Sequence, residues 1–183
     1  MKKFNVFFLF SALLTFAGCN DVFDVKWNKV ERATYSLMVP DFITERSDLN
    51  DEADLQYGNI IKEVYVVVLE EPVEEIDPFF SDSLGGSGEP AMEQYSDLIY
   101  NQFKESEGIE VSQISERNRV VKSNFDMHTW NCTAKVDNAE AYYEFAVYRS
   151  NQSYYQVITW TLLENKKKYL NVLQTMASSL QPL

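Results

Sequence analysis

The sequence predicts an α+β domain built as a three-layer α/β/α sandwich, with a central, mostly antiparallel sheet between helices. Three observations predict it. Strand-like runs in the second half are joined by hairpin-length connections, which link antiparallel neighbours. Residues 63–69 and 154–163 carry apolar side chains on both strand faces, so the sheet needs cover on both sides. One amphipathic helix precedes this meander and another follows it, which supplies one cover for each face.

In chain order, residues 34–39 read as a strand stopped by Pro40, and 53–59 as a second strand. The run 63–69 (Glu-Val-Tyr-Val-Val-Val-Leu) is the clearest strand. Residues 70–80 carry Pro72 and many acids and hold a short helix, and 81–90 read as a glycine-rich loop. Met92, Tyr95, Ile99 and Phe103 recur at helical spacing over 91–106, with Gly108 as the C-terminal cap. Strands follow at 109–114, 125–136, 140–148 and 154–163, and turn formers fill the breaks at 115–118, 137–138 and 149–151. In the last strand Tyr154, Ile158, Trp160 and Leu162 face one way, and Tyr155, Val157 and Leu163 the other. Tyr169, Leu173, Met176 and Leu180 make one stripe of a closing helix over 166–180, with Asn165 as its N-cap.

The first residues speak to location. Lys2 and Lys3 precede an apolar run from Val6 to Phe16. About eleven helical residues reach only about 16 Å, roughly half a hydrocarbon core. The layout is that of a signal peptide. Ala17-Gly18-Cys19 follows and resembles the lipobox of bacterial lipoproteins, although Phe16 stands where that motif usually has Leu. The resemblance implies cleavage after residue 18 and acylation of Cys19. The expected organisation is a lipoprotein signal peptide over 1–18, a lipid-anchored tether over 19–32 and a globular domain over 33–183. Loss of Lys2 and Lys3 makes the formal charge more negative than the full chain's −12. Such a surface is repelled by nucleic acid and by anionic head groups, so no nucleic-acid partner is expected and the domain should stand off its anchor.

With Cys19 acylated, Cys132 is the one remaining thiol and has no disulfide partner. It reads as a buried, inert side chain in a strand. Asn131-Cys-Thr and Asn151-Gln-Ser match a glycan acceptor pattern that a bacterial lipoprotein does not use.

Residues 34–180 resemble the PsbP-like fold family, which includes bacterial DcrB-like lipoproteins. The segments that carry the resemblance are Tyr35-Ser-Leu-Met-Val-Pro40, Asp48-Leu-Asn-Asp-Glu-Ala53 with Leu55-Gln-Tyr57 and Asn59, Glu63-Val-Tyr-Val-Val-Val68, Tyr154-Tyr-Gln-Val-Ile-Thr-Trp-Thr161 and Ser178-Ser-Leu180. These are packing and turn patterns. The resemblance implies the α/β/α sandwich and a non-catalytic, partner-binding role.

The residues themselves offer few chemical alternatives. His128 is the sole histidine, so any Ser-His-Asp or Cys-His arrangement must use it as base. Asp126 shares its strand face and is a candidate orienter, against the plainer reading of a satisfied polar pair. Asp48, Asn50, Asp51, Glu52 and Asp54 crowd one turn, as calcium ligands do. However, Ala53 and Asn59 occupy the positions where a calcium loop needs Gly and Glu. Gly85-Gly-Ser-Gly88 has no following Lys-Ser/Thr and is no phosphate loop. Lys166-Lys-Lys168 opens the last helix, where a solvated face competes with an anion or partner site. No cofactor, metal or catalytic residue is assigned. The expected function is a cell-envelope lipoprotein, membrane-attached through Cys19, that binds or assembles with a protein partner without turnover. The alternatives are a hydrolase centred near His128 and a carrier of a small apolar ligand.

Overall fold

A computed structural model describes residues 24–83, 91–121, 124–136 and 138–183. The expected signal peptide, Cys19 and the glycine-rich segment at Gly85 to Gly88 lie outside the described residues. In chain order the elements are β1 (Trp27–Glu31), β2 (Tyr35–Pro40), β3 (Thr44–Glu45), β4 (Leu55–Asn59), β5 (Val64–Pro72), α1 (Val73–Ser83), α2 (Ala91–Glu105), β6 (Ile109–Ile114), β7 (Asn118–Val121), β8 (Asp126–Val136), β9 (Ala139–Arg149), β10 (Ser153–Leu162), α3 (Lys166–Ala177) and β11 (Gln181–Pro182). Among the described residues no helix is long and apolar enough to cross a membrane.

The main sheet runs β3-β4-β5-β10-β9-β8-β6, with every neighbour antiparallel. β7 pairs with the first residues of β8 and β6 with the last, so they share one edge end to end. Strand side chains alternate, and β10 shows the consequence. Tyr155 and Val157 enter one core with Leu37, Val66, Leu173 and Met176. Tyr154 and Ile158 belong to the other, with Met92, Tyr95, Trp130 and Phe145. The stripe of α3 fills the first core, and Met92, Tyr95 and Ile99 of α2 fill the second. In the second core the Trp130 and Phe145 rings stack at 5.1 Å.

Five features depart from the sequence reading. Strand β2 is not in the main sheet; it forms a three-stranded sheet with β1 and β11. Five residues of the expected tether are β1, in register with β2 from Trp27↔Pro40 to Glu31↔Ser36. β7 begins inside the expected break at 115–118. Asn165 makes no side-chain cap, because a 3₁₀ turn over Leu163–Asn165 already leads the chain into α3. Its amide donates instead to Glu63 Oε2 at 3.0 Å. Helix α3 stops at Ala177, where the hydroxyls of Ser178 and Ser179 donate to the carbonyls of Gln174 and Met176 at 2.7 and 2.9 Å. Ser179 Oγ also accepts the Met38 N–H at 3.1 Å, which ties the end of the helix to the small sheet.

Candidate functional site

His128 lies on β8 and is 2% exposed. Its Nε2 has no hydrogen-bond partner and stands 3.6 Å from Glu93 Oε1 on α2. Asp126 does not orient it. The Asp126 carboxylate is gripped by Arg119 of β7, at 2.5 Å from Nη2, and Arg119 also reaches Glu93 at 3.0 Å. Arg117 pairs with Asp97 and donates to Ser96 Oγ at 3.2 Å. Burial holds the His128 imidazole below its usual pKa. The nearby Glu93 and Asp126 oppose that shift, while Arg117 and Arg119 reinforce it. The cluster is a buried neutral ring under a surface ion-pair network, with no nucleophile bonded to the Nε2 atom. The base-and-orienter geometry raised by the sequence does not form.

Most of the other singled-out residues have structural partners. Gln56 Oε1 accepts the N–H groups of Leu49 and Asn50 at 2.8 and 3.1 Å, Asn50 Oδ1 accepts that of Glu52, and Asp54 Oδ2 that of Glu70. Asp48 faces Arg46 at 2.5 Å. The acidic turn is thus a backbone clamp leading into β4. Cys132 is buried, and its thiol is pushed up to about 12 by burial, which leaves it protonated and unreactive. Lys166 sits 3.9 Å over the Tyr142 ring and Lys168 4.9 Å over Tyr169, while Lys167 faces solvent.

A concavity lies elsewhere. A cleft of about 920 Å³ opens between α1, α2 and the ends of β5 and β10. Its wall is apolar, from Leu69, Ile76, Phe79, Phe80, Leu98 and Ile99. Phe79 and Leu98 remain 68% and 42% exposed. The floor is a closed polar set. The Tyr95 O–H donates to Glu71 Oε2, and Gln156 Nε2 donates to Glu71 Oε2 at 3.1 Å and to Tyr95 Oη at 2.9 Å. Burial, then the bond to Glu71, raises the Tyr95 pKa, so the hydroxyl stays a donor. Glu52, Glu70, Glu71 and Asp97 line the cleft, and among the described residues no lysine or arginine does. Glu71, Tyr95 and Gln156 thus spend their polar atoms on each other, while Asp97 pairs with Arg117 and Glu70 accepts from Thr34 and Ser153. Sequence reasoning missed it because Glu71, Tyr95 and Gln156 meet only through the fold. The available signal was Phe79 and Leu98, apolar residues beyond what the helix stripes need.

No family model and no curated protein matches the chain in sequence. Solved structures do match in shape. The solution structure of cyanobacterial PsbP (CyanoP) from Synechocystis superposes with a TM-score of 0.58 at 12% identity, covering 92% of this chain and 99% of that one. The crystal structure of LpqN, described as involved in cell envelope biogenesis of Mycobacterium tuberculosis, gives 0.54 at 10% identity, covering 87% and 91%. Identities this low speak to fold alone. With the antiparallel sheet, its helices and the near-complete overlap, the chain has the PsbP-like α+β fold.

Proposed function

We propose that this chain is a cell-envelope lipoprotein, anchored by acyl chains on Cys19, whose folded domain is a non-catalytic binding or assembly module. The observation that carries the reading is the cleft between α1 and α2. Its volume falls in the range of ligand sites, its wall is apolar, its lining charges are all acidic and its floor is hydrogen-bonded within itself. These features suit a protein segment that presents an apolar side chain beside Lys or Arg. His128, the one residue on which a hydrolase would depend, does not line it. The likeness to LpqN supports an envelope role, and the N-terminal lipobox pattern supports the anchor. The reading takes 1–18 as the signal peptide, residues after Cys19 up to β1 as the tether, and the remainder as one three-layer sandwich. In that sandwich α1 and α2 cover one face of the main sheet, and α3 with the small sheet covers the other.

Because the wall alone would also suit a small apolar ligand, the test separates the two. A photo-crosslinking residue is placed at Leu98 and, as control, at Lys167, in cells that make the full chain. A discrete protein adduct at position 98 and none at 167 is the expected result. A lipid-sized mass at position 98 favours the carrier reading, and no adduct at either position removes the cleft as the binding surface.

A further inference from the structure

The turn between β4 and β5 leaves Ile60 and Ile61 62% and 95% exposed. It is held in shape, since Asn59 Oδ1 accepts the N–H groups of Ile61 and Lys62 at 3.0 and 2.9 Å. Two apolar side chains at a fixed tip cost solvation for no packing gain within the domain. The surroundings say where the tip points. Asn59 Nδ2 donates to the Phe42 carbonyl at 2.6 Å, and the Asp41 N–H donates to the Lys26 carbonyl at 2.8 Å. The tip is therefore beside the first described residues of the chain. The start of α3 is there too, through Asn165 and Glu63 and through the Phe42 and Tyr169 rings at 6.1 Å. Lys26, Lys62, Lys166, Lys167 and Lys168 gather at this end with Asp24, Asp41, Glu63, Glu140 and Glu164. The signs nearly balance locally, whereas the whole chain carries −12.

We propose that this end is a membrane-docking tip, in which Ile60 and Ile61 enter the interfacial layer of a lipid bilayer while the neighbouring lysines meet anionic head groups. The orientation rests on the lipid-anchor reading of Cys19. About five residues separate Cys19 from Asp24, an extended reach of at most roughly 18 Å. The end that bears Asp24 thus stays close to the bilayer. The opposite end, with Asn151 and Leu183, lies the nine residues of β5 farther away, about 30 Å. The cleft opens near Leu69 to Glu71, toward that far end, so docking points it away from the membrane. The acidic composition argues for a domain that stands off; this end does not share it.

The test uses the acylated full chain, purified from bacterial membranes and reconstituted in vesicles of phosphatidylethanolamine and phosphatidylglycerol. A polarity-sensitive fluorophore is attached at Ile61→Cys or at Asn151→Cys; Cys132 is buried and escapes labelling. The expected result is a blue-shifted emission at position 61, quenched severalfold more by brominated lipid than at 151. Replacing phosphatidylglycerol with phosphatidylcholine should weaken it, and unchanged insertion overturns the part given to the lysines. Hydrogen exchange on unlabelled protein checks the same point, with protection expected at 59–63 on vesicles. Protein that floats with the vesicles yet shows position 61 as wet as 151 overturns the proposal and leaves the anchor standing. Protein that does not float overturns the anchor and the docking together.

Discussion

At the residue scale, His128 and Glu144 show how burial favours the neutral form of both groups by moving their pKa values in opposite directions. His128 is kept neutral, with its Nε2 orphaned near Glu93. Glu144, buried on β9, is also pushed toward its neutral form, against the bonds it accepts from Tyr142 and Gln174 and the attraction of Lys166. The two therefore tilt stability in opposite directions with pH. The unfolded chain protonates its histidine near 6.5, and the folded chain only below that. Between those values the unfolded state holds more protons, so this part of the stability is intact above 6.5 and is lost as pH falls through the folded value. Glu144 does the reverse, losing stability as pH rises from its ordinary 4.5 through its raised value. A single wild-type curve mixes both, so the diagnostic is a difference. His128→Gln, which keeps the volume and cannot take up the proton, should lose less stability than wild type between pH 7.5 and 5.5. Urea midpoints at the two pH values check it, and parallel losses in both proteins would show that His128 is not desolvated as described.

At the element scale, the sheet was legible because its hairpins are local and its strands alternate. β5, β6, β8, β9 and β10 lie within a few residues of where periodicity puts them. β1 and β7 were not legible. Trp27–Glu31 has mixed charge and a half-exposed pattern, and its strand state comes from pairing with β2. All four residues of β7 are exposed, and its state comes from the edge of β8. Neither carries a local signal, since tertiary pairing decides both. Helix α3 is the opposite case, written in its own stripe. Leu173 is fully buried, and its carbonyl accepts the Thr159 hydroxyl at 3.2 Å. Leu173→Ala should cost about 2–5 kcal/mol, a large share of a domain's total of about 5–15 kcal/mol. Lys167→Ala, on the exposed face, should stay within about 0.5 kcal/mol. Equal shifts of the denaturant midpoint for the two would mean that α3 does not seal that core.

At the scale of the whole molecule, the cleft and the proposed anchor differ in how much of each a stretch of sequence contains. The cleft needs Glu71, Tyr95 and Gln156 from three elements, so no window of sequence contains it. The proposed anchor needs only a contiguous run ending in Ala17-Gly18-Cys19, so its motif is visible in a single window of sequence. The proposed acylation and the proposed docking would make separable contributions to membrane attachment. Two or more acyl chains hold a protein stably, at about 0.8 kcal/mol per buried CH₂. The lysines around the Ile60-Ile61 tip would add an attraction that salt screens within about 10 Å at 0.1 M. Cys19→Ala removes the first and spares the second. The variant should therefore remain partly with membranes at low ionic strength and leave them in a high-salt wash, whereas the wild type stays through both. Fractionation followed by immunoblotting reads this directly. A Cys19→Ala protein that resists high salt as the wild type does would mean that something other than acyl chains on Cys19 holds the chain to the membrane.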